Sequence, residues 1–205
     1  MNIISFLLDL VFEKPFPDDI LETLHPAAAH QETFIFSIFD YKQQTVRDII
    51  RYFKKHNDRI LKQKIARSMS LHISDHLADQ QVFGYFQNPI LVPVPVSKQR
   101  LRERGFNQTH ILAKYIAKDI SGDYIKNAVQ KQKQTKKQAL VKNRNDRFAN
   151  IRGAFHIPEN KKHLVQNKDV IVVDDLTTTG ATIMEMRRVL RDAGAREVIG
   201  LTIAH

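Results

Sequence analysis

The 205-residue chain contains no cysteine, and this absence excludes two ways of stabilising a protein. Without cysteine there is no disulfide framework, so nothing in the composition points to secretion, and we predict a cytoplasmic protein. Cysteine zinc sites are excluded as well. His25 and His30 alone do not complete a tetrahedral structural site, so no zinc is expected.

Long hydrophobic runs are also absent. The apolar start at residues 3–12 contains Asp9 and lacks a basic flank, and it is shorter than the roughly 20 residues that span a bilayer. We therefore predict no transmembrane segment and interpret residues 1–13 as a docking helix. A hydrophobic fraction of 42% is enough for a core, and the length suits one domain with an appendage. We place the appendage at residues 1–33 and the domain at residues 34–205.

Residues 169–182 combine a strand, two acids, a loop of small residues and a helix start. Residues 171–173 form an apolar, β-branched run typical of a buried parallel strand, and Asp174 and Asp175 end it. The loop 177–182 then precedes an apolar repeat at helical spacing. Free N–H groups and the dipole at a helix start favour a phosphate. The acids cannot bind that phosphate, so they must face sugar hydroxyls or a metal.

This arrangement resembles the phosphoribosyl diphosphate (PRPP) motif of type I phosphoribosyltransferases. The resemblance implies that Asp174 and Asp175 are the catalytic acids, which contact the ribose hydroxyls and, indirectly, the Mg²⁺ that accompanies PRPP. It also implies that the 5′-phosphate is bound by Thr177, Thr178, Thr179, Gly180, Ala181 and Thr182.

Upstream segments narrow the resemblance to the ComF/ComFC family, phosphoribosyltransferase-like proteins associated with bacterial competence. These segments are 91–96, Arg100, Arg102, 104–108, 133–135 with Gln138 and Leu140, Arg147 with Asn150, and 153–155. The resemblance implies a diphosphate and loop site formed by Val94, Pro95, Val96, Arg104, Lys131 and Lys133. Family members often carry an amino-terminal zinc ribbon of four cysteines, and here residues 1–33 stand in its place.

The order of predicted elements indicates an α/β fold, a mainly parallel sheet with helices on both faces, plus a small helical amino-terminal region. Helices are predicted at 1–13, 43–56, 59–82, 107–120 and 140–149. Strands are predicted at 34–41 (half of a hairpin, or a core strand), 90–94, 124–129, 154–157, 170–173 and 197–203. Since Pro95, Asp174 and Asp175 follow strands, we expect them at one cleft beyond the carboxyl ends of the sheet.

The run 131–137 has no apolar residue, so it is predicted to be a mobile loop or a solvated helix. By its place in the chain it resembles the flexible loop that closes over PRPP in type I phosphoribosyltransferases. His110 follows the 104–108 segment, and its helical spacing favours a surface or packing role.

Charge leaves two functions open. Of a net charge of +10, residues 98–152 hold 15 Lys and Arg against 4 Asp and Glu, a surplus of 11. That positive charge could bind either a diphosphate or a nucleic-acid backbone. One hypothesis is a Mg²⁺-dependent, PRPP-binding phosphoribosyltransferase of DNA uptake with an unknown acceptor. The other is a non-catalytic adaptor that binds single-stranded DNA through Arg100, Arg102 and Arg104 and works beside a competence helicase.

Overall fold

The computed structural model describes residues 16–82, 86, 88–132 and 143–205, apart from the side chains of residues 79–82, 98 and 104. The α-helices of this part are α1 Gln44–Lys55, α2 Arg59–Val82, α3 Lys98–Arg104, α4 Gln108–Asp119, α5 Arg144–Ile151 and α6 Ala181–Asp192. Its strands are β1 Ile35–Phe39, β2 Ile90–Pro93, β3 Asp123–Tyr124, β4 Gln130–Lys131, β5 Phe155–His156, β6 Asp169–Leu176 and β7 Glu197–Ala204. Short 3-10 segments lie at Ile20–Thr23 and Glu159–Leu164.

Five parallel strands form the main sheet in the order β1-β7-β6-β2-β3. The central strand β6 contributes Val170, Ile171, Val172 and Val173, each with no exposed surface. β-branched side chains pack well on a pleated surface that is covered from both sides, which explains why this run forms the centre of the sheet. Because the strands are parallel, their carboxyl ends meet at one edge.

Two hydrophobic cores lie on opposite faces of this sheet. Alternation along β6 sends Ile171 and Val173 into one core, with residues of α1, α2 and α4. Val170 and Val172 enter the other core, with residues of α5 and α6. The predicted α/β fold with helices on both faces is therefore confirmed.

The predicted helices 43–56, 59–82 and 107–120 agree closely with α1, α2 and α4. In α1 the buried side chains are Val46, Ile49, Ile50 and Phe53, which is the apolar stripe that the sequence predicts. The helix predicted near 140–149 is α5, which begins at Arg144.

Three predicted elements differ from the structure, and one helix was not predicted. The run 34–41 is not a hairpin arm: β1 is the edge strand, parallel to β7, with a single antiparallel bridge from Phe39 to Pro26. The strand predicted at 124–129 shortens to β3. The strand predicted at 154–157 is β5, which pairs antiparallel with β4 outside the main sheet. α3 was not predicted, because its seven residues are mostly charged and show no apolar periodicity.

The segment before β1 packs on the first core. Phe16, Ile20, Leu21 and Leu24 lie against its buried residues. The helix predicted at 1–13 lies outside the described residues. Among the helices of the described part, none is long and apolar enough to cross a membrane.

Candidate functional site

A cavity of about 510 Å³ opens at the carboxyl edge of the sheet. Its lining includes the ends of β2 and β6, the start of α6, and side chains of α1, α3, α4 and α5. The cleft predicted from the positions of Pro95, Asp174 and Asp175 is therefore present, since all three residues line this cavity. Its size is within the ordinary range of small-molecule sites.

The acid pair lies near the end of β6. This strand extends to Leu176, beyond the strand end that the sequence predicts. The Asp175 N–H donates to Asp174 Oδ1 over 2.8 Å. Lys54 Nζ, from the last turn of α1, lies 3.0 Å from Asp175 Oδ1. Burial raises the pKa of Asp174 to about 7, and the neighbouring Asp175 carboxylate adds to this rise. A cation or hydrogen-bond donor that binds at Asp174 would oppose this rise and favour its ionised form.

The loop 177–182 wraps one end of the cavity, and all six of its residues belong to the lining. Thr177 is buried, and its N–H donates to the Ala204 carbonyl over 3.0 Å. α6 begins at Ala181, and the first N–H groups of a helix have no carbonyl partner within the helix. Loop hydroxyls and helix N–H groups together form a donor-rich end that suits a phosphate.

The structure gives Gly180 two local roles in this loop. Its φ of 74° lies in the left-handed region. A Cβ atom there would also lie 2.9 Å from Ile35 Cδ1 and 3.1 Å from His30 Cε1. The backbone turn therefore favours glycine, and a methyl group there would also displace the ends of the Ile35 and His30 side chains.

The proline loop forms the opposite side of the cavity through Val94, Pro95 and Val96. Val94 donates its N–H to the Val173 carbonyl over 2.9 Å, which ties the loop to β6. The Val94 carbonyl accepts from Thr109 Oγ1 over 2.9 Å and from the Asn107 side-chain amide over 3.3 Å. The 104–108 segment thus has a local structural role: Asn107 caps α4, and the Gln108 amide donates to the Lys54 carbonyl over 2.7 Å.

The predicted cations whose side chains the structure describes fall into two groups. Arg100 and Lys131 line the cavity, whereas Arg102 is exposed and is not part of the lining. Burial and, to a smaller extent, Arg100 lower the pKa of Lys131 to about 8, while Asp174 opposes the change. Lys133 and most of the predicted loop 131–137 lie outside the described residues, as does the side chain of Arg104.

Several lining residues had no predicted role, among them Arg147, Lys54 and Tyr41. Arg147 Nη1, on α5, donates to Thr178 Oγ1 in the loop 177–182 over 2.5 Å. Lys54 contacts Asp175. Tyr41, which lies in the connection between β1 and α1, also lines the cavity. Arg147 carried a signal, since it belongs to the motifs of the resemblance. Lys54 and Tyr41 carried none, because nothing in their local sequence indicates a site.

His110 has the packing role that its spacing predicts, because it is half-buried on α4 and is not in the cavity lining. Burial lowers its pKa to about 4, with a smaller contribution from Lys126. It therefore remains neutral at physiological pH.

The acid pair is compatible with a magnesium ion that arrives on a substrate. Among the residues that the structure describes, no group of three or more His, Asp or Glu side chains could hold a metal by itself. Mg²⁺ is commonly bound by one or two carboxylates together with substrate phosphates and water, and Asp174 and Asp175 supply such carboxylates.

Comparison with known proteins gives consistent results. The sequence profile of the phosphoribosyl transferase domain matches residues 70–204. Competence protein F of Haemophilus influenzae (strain Rd) is 28% identical over 73% of this chain and 63% of its own length. Competence protein ComFC of Bacillus subtilis (strain 168) is 33% identical over 51% of this chain and 39% of its own length. DNA utilization protein YhgH of Escherichia coli (strain K12) is 31% identical over 53% of this chain and 45% of its own length.

These relatives confirm the resemblance to the ComF family that the motifs indicate. The chain spans 39 to 63% of the lengths of these three curated relatives. Among solved structures, one described as the allosteric regulatory enzyme of purine biosynthesis aligns with a TM-score of 0.45 and 16% identity, over 75% of this chain and 30% of that chain.

Proposed function

Because the chain belongs to the phosphoribosyl transferase domain family, we propose that it binds PRPP with Mg²⁺ and transfers the phosphoribosyl group to an acceptor. The observation that carries this proposal is the arrangement of one cavity. The acid pair, the donor-rich loop 177–182 and the proline loop all face the same space of about 510 Å³. PRPP has three parts with matching chemistry: ribose hydroxyls, a 5′-phosphate and a diphosphate.

In this proposal each part of PRPP meets a different group of residues. Asp174 and Asp175 accept hydrogen bonds from the ribose hydroxyls, and the loop 177–182 binds the 5′-phosphate. Arg147 adds a guanidinium there, because it already contacts Thr178 Oγ1. The proline loop, Arg100 and Lys131 bind the diphosphate, with Arg104 and Lys133 as further predicted contacts.

The reaction replaces the bond between ribose C1 and the diphosphate oxygen with a bond from C1 to the acceptor. Negative charge builds on the diphosphate as that bond breaks, and positive charge builds on the ribose. Magnesium bound to PRPP would supply part of the compensating positive charge. Arg100 and Lys131 stabilise the departing diphosphate, while Asp174 and Asp175 hold the ribose and face its developing positive charge.

Calorimetric titration with PRPP, with and without Mg²⁺, tests this function. The Asp174→Asn/Asp175→Asn variant removes both charged acceptors, each worth about 1.5–3 kcal/mol, so we expect its PRPP affinity to fall by roughly 100-fold or more. The control Asp123→Asn/Asp192→Asn removes two exposed aspartates outside the cavity and should bind as the wild type does. Wild-type affinity in the acid-pair variant would refute the assignment of the ribose site.

A second candidate function is binding of single-stranded DNA, as an adaptor beside a helicase of DNA uptake. The charge surplus in residues 98–152 favours it. Arg102 is exposed outside the cavity, so the proposed diphosphate site does not use it. The relative from Escherichia coli is named for DNA utilization. Binding of a fluorescent oligonucleotide over a salt series tests this candidate, since neutralised phosphates make affinity fall steeply with salt. No binding at low salt would remove it.

A further inference from the structure

Glu185 is a buried carboxylate that the proposed function does not use. It lies on α6, one turn beyond the start of that helix, and only 7% of the residue is exposed. It does not line the main cavity. A charged side chain is rarely buried unless partners satisfy it, because its removal from water costs free energy. The partners of Glu185 therefore indicate what this carboxylate does in the fold.

Two groups satisfy this carboxylate. Arg188, on the next turn of α6, binds both of its oxygens: Nη2 lies 2.7 Å from Oε1, and Nε lies 3.0 Å from Oε2. The backbone N–H of Gly153 donates to Oε1 over 2.8 Å. Burial acts to raise the pKa of the Glu185 carboxyl, but the hydrogen bonds from Arg188 and Gly153 lower it below its usual value. The side chain is therefore ionised near neutral pH, and a guanidinium holds it in one orientation.

Gly153 lies between α5 and β5. α5 carries Arg147, whose guanidinium contacts the loop 177–182, and it ends at Ile151. Gly153 has a φ of 68°, in the left-handed region, so the chain reverses direction here. The bond from its N–H to Glu185 fixes the chain directly after the helix that carries Arg147. Because α6 begins at the end of the loop 177–182, this bond joins the two helices on either side of one contact.

The same turn also supports Lys131. This residue pairs with Phe155 across the β4–β5 ladder. The following N–H, of Gln132, donates to the Ala154 carbonyl over 3.0 Å, and the Gln132 side-chain amide donates to the Gly153 carbonyl over 3.1 Å. Two cations of the cavity are thus attached to one turn, and a single carboxylate on α6 anchors that turn.

We propose that Glu185 is a positioning residue for ligand binding, which holds the α5–β5 turn at a fixed distance from the loop 177–182. The turn in this place sets Arg147 at the 5′-phosphate end and Lys131 at the diphosphate end. This inference rests on the proposed function, because it assumes that the two cations bind phosphate groups of PRPP. Glu185 acts through these cations and does not touch the ligand.

Two conservative variants separate reach from charge. Glu185→Gln keeps an oxygen at the same distance from the Gly153 N–H and removes the charge. Glu185→Asp keeps the charge but is one methylene shorter, so its oxygen withdraws from that N–H. We expect Glu185→Asp to lower the affinities for ribose 5-phosphate and for pyrophosphate by about fivefold to tenfold, and Glu185→Gln to stay within about twofold of the wild type. Isothermal titration calorimetry on the full chain measures both affinities.

A double-mutant cycle tests whether Glu185 acts through Arg147. In the Arg147→Gln background, Glu185→Asp should lower the affinity for ribose 5-phosphate by about twofold or less, because the guanidinium that Glu185 positions is already gone. The loss of pyrophosphate affinity should persist, since Lys131 is still present. The same loss of ribose 5-phosphate affinity in both backgrounds would overturn the inference, because a general weakening of the fold adds to the Arg147 effect independently.

The control Glu197→Asp shortens a carboxylate that binds Arg187 over 2.9 Å and has no contact with the α5–β5 turn. It should keep both affinities. Amide hydrogen exchange without ligand should be faster at residues 151–155 in Glu185→Asp and unchanged in the control. Wild-type affinities in Glu185→Asp, or unchanged exchange at this turn, would overturn the inference while leaving PRPP binding intact. A wild-type chain that does not bind PRPP would instead overturn the proposed function itself.

Discussion

The two walls of the main cavity are built differently. The first wall, residues 174–182, is one continuous segment that runs from the central strand into α6, and hydrogen bonds such as Thr177 N–H to the Ala204 carbonyl fix its backbone. The cation wall consists of Lys54, Arg100, Lys131 and Arg147, which come from four separate elements. A continuous, hydrogen-bonded backbone fixes the positions of acceptors and donors within narrow limits. Long cationic side chains supply charge from a distance and adjust to the ligand.

This difference between the two walls predicts that a backbone change in the first wall has the largest effect, and that the effect is on the free energy of unfolding. Gly180→Ala should lower the free energy of unfolding by about 2–4 kcal/mol, because a left-handed backbone disfavours a side chain and the new methyl group would crowd Ile35 and His30. Urea denaturation measures this change.

Gly105→Ala is the matched control for that measurement. Gly105 has nearly the same φ, 75°, but a Cβ atom there would have nothing within 4 Å. We expect a loss of about 1 kcal/mol for the backbone alone. Equal losses in the two variants would mean that the packing of Ile35 and His30 against Gly180 does not hold the loop 177–182 in place. The difference between the two walls would then lose support.

A change in the cation wall should affect one part of the ligand and spare the fold. Arg147→Gln removes a charged fork from the proposed 5′-phosphate end, so affinity for ribose 5-phosphate should fall by about 10- to 100-fold. Affinity for pyrophosphate should stay the same, since Arg147 contacts the loop 177–182. Isothermal titration with each compound separates the two effects.

Arg144→Gln tests whether position on α5 matters. Arg144 is exposed on the same helix, and it bonds to Gln31 and Glu32 away from the cavity. This variant should bind both compounds as the wild type does. An equal loss of pyrophosphate affinity in Arg147→Gln would assign this arginine to the diphosphate instead.

The acid pair predicts a pH dependence of ligand binding. Asp174 has a pKa of about 7 in the free protein, raised by burial and by Asp175. Ribose and Mg²⁺ favour its ionised form, so binding releases a proton, and PRPP affinity should rise with pH and level off above the pKa. The expected gain from pH 6 to pH 8 is about tenfold. Calorimetry in buffers of different ionisation enthalpy measures the released proton, and a constant affinity over this range would contradict the raised pKa.

The smallest effects concern the charge outside the cavity. If single-stranded DNA binds, Arg102→Ala should lower the slope of log affinity against log salt by about 0.7, one phosphate contact. Arg100→Ala should lower PRPP affinity, because Arg100 lines the cavity. If PRPP binding instead required Arg102 and DNA binding did not, the result would contradict the placement of Arg100 in the cavity and of Arg102 outside it.

Much of the first wall was predictable because its signals are local. The apolar run of β6, the acids, the small-residue loop and the start of α6 follow one another in the chain, and each depends on its neighbours. α3 shows the limit of this approach. Its seven residues have no apolar stripe, and its sequence signals were only the cap Ser97, which accepts from the Arg100 N–H, and the left-handed Gly105 at its end.

By itself the sequence determined the fold class, the central strand and the order of acids and donors around one cleft, because backbone preferences and side-chain chemistry are local properties. The tertiary structure decided which cations meet in that cleft. Arg147 and Thr178 are 31 positions apart, yet they share a hydrogen bond. Lys54 reaches Asp175 from the last turn of α1, a separate element of the chain. The same structure separated Arg102 from Arg100, although both belong to one basic segment. Packing of the two cores sets these distances, and no local pattern encodes them.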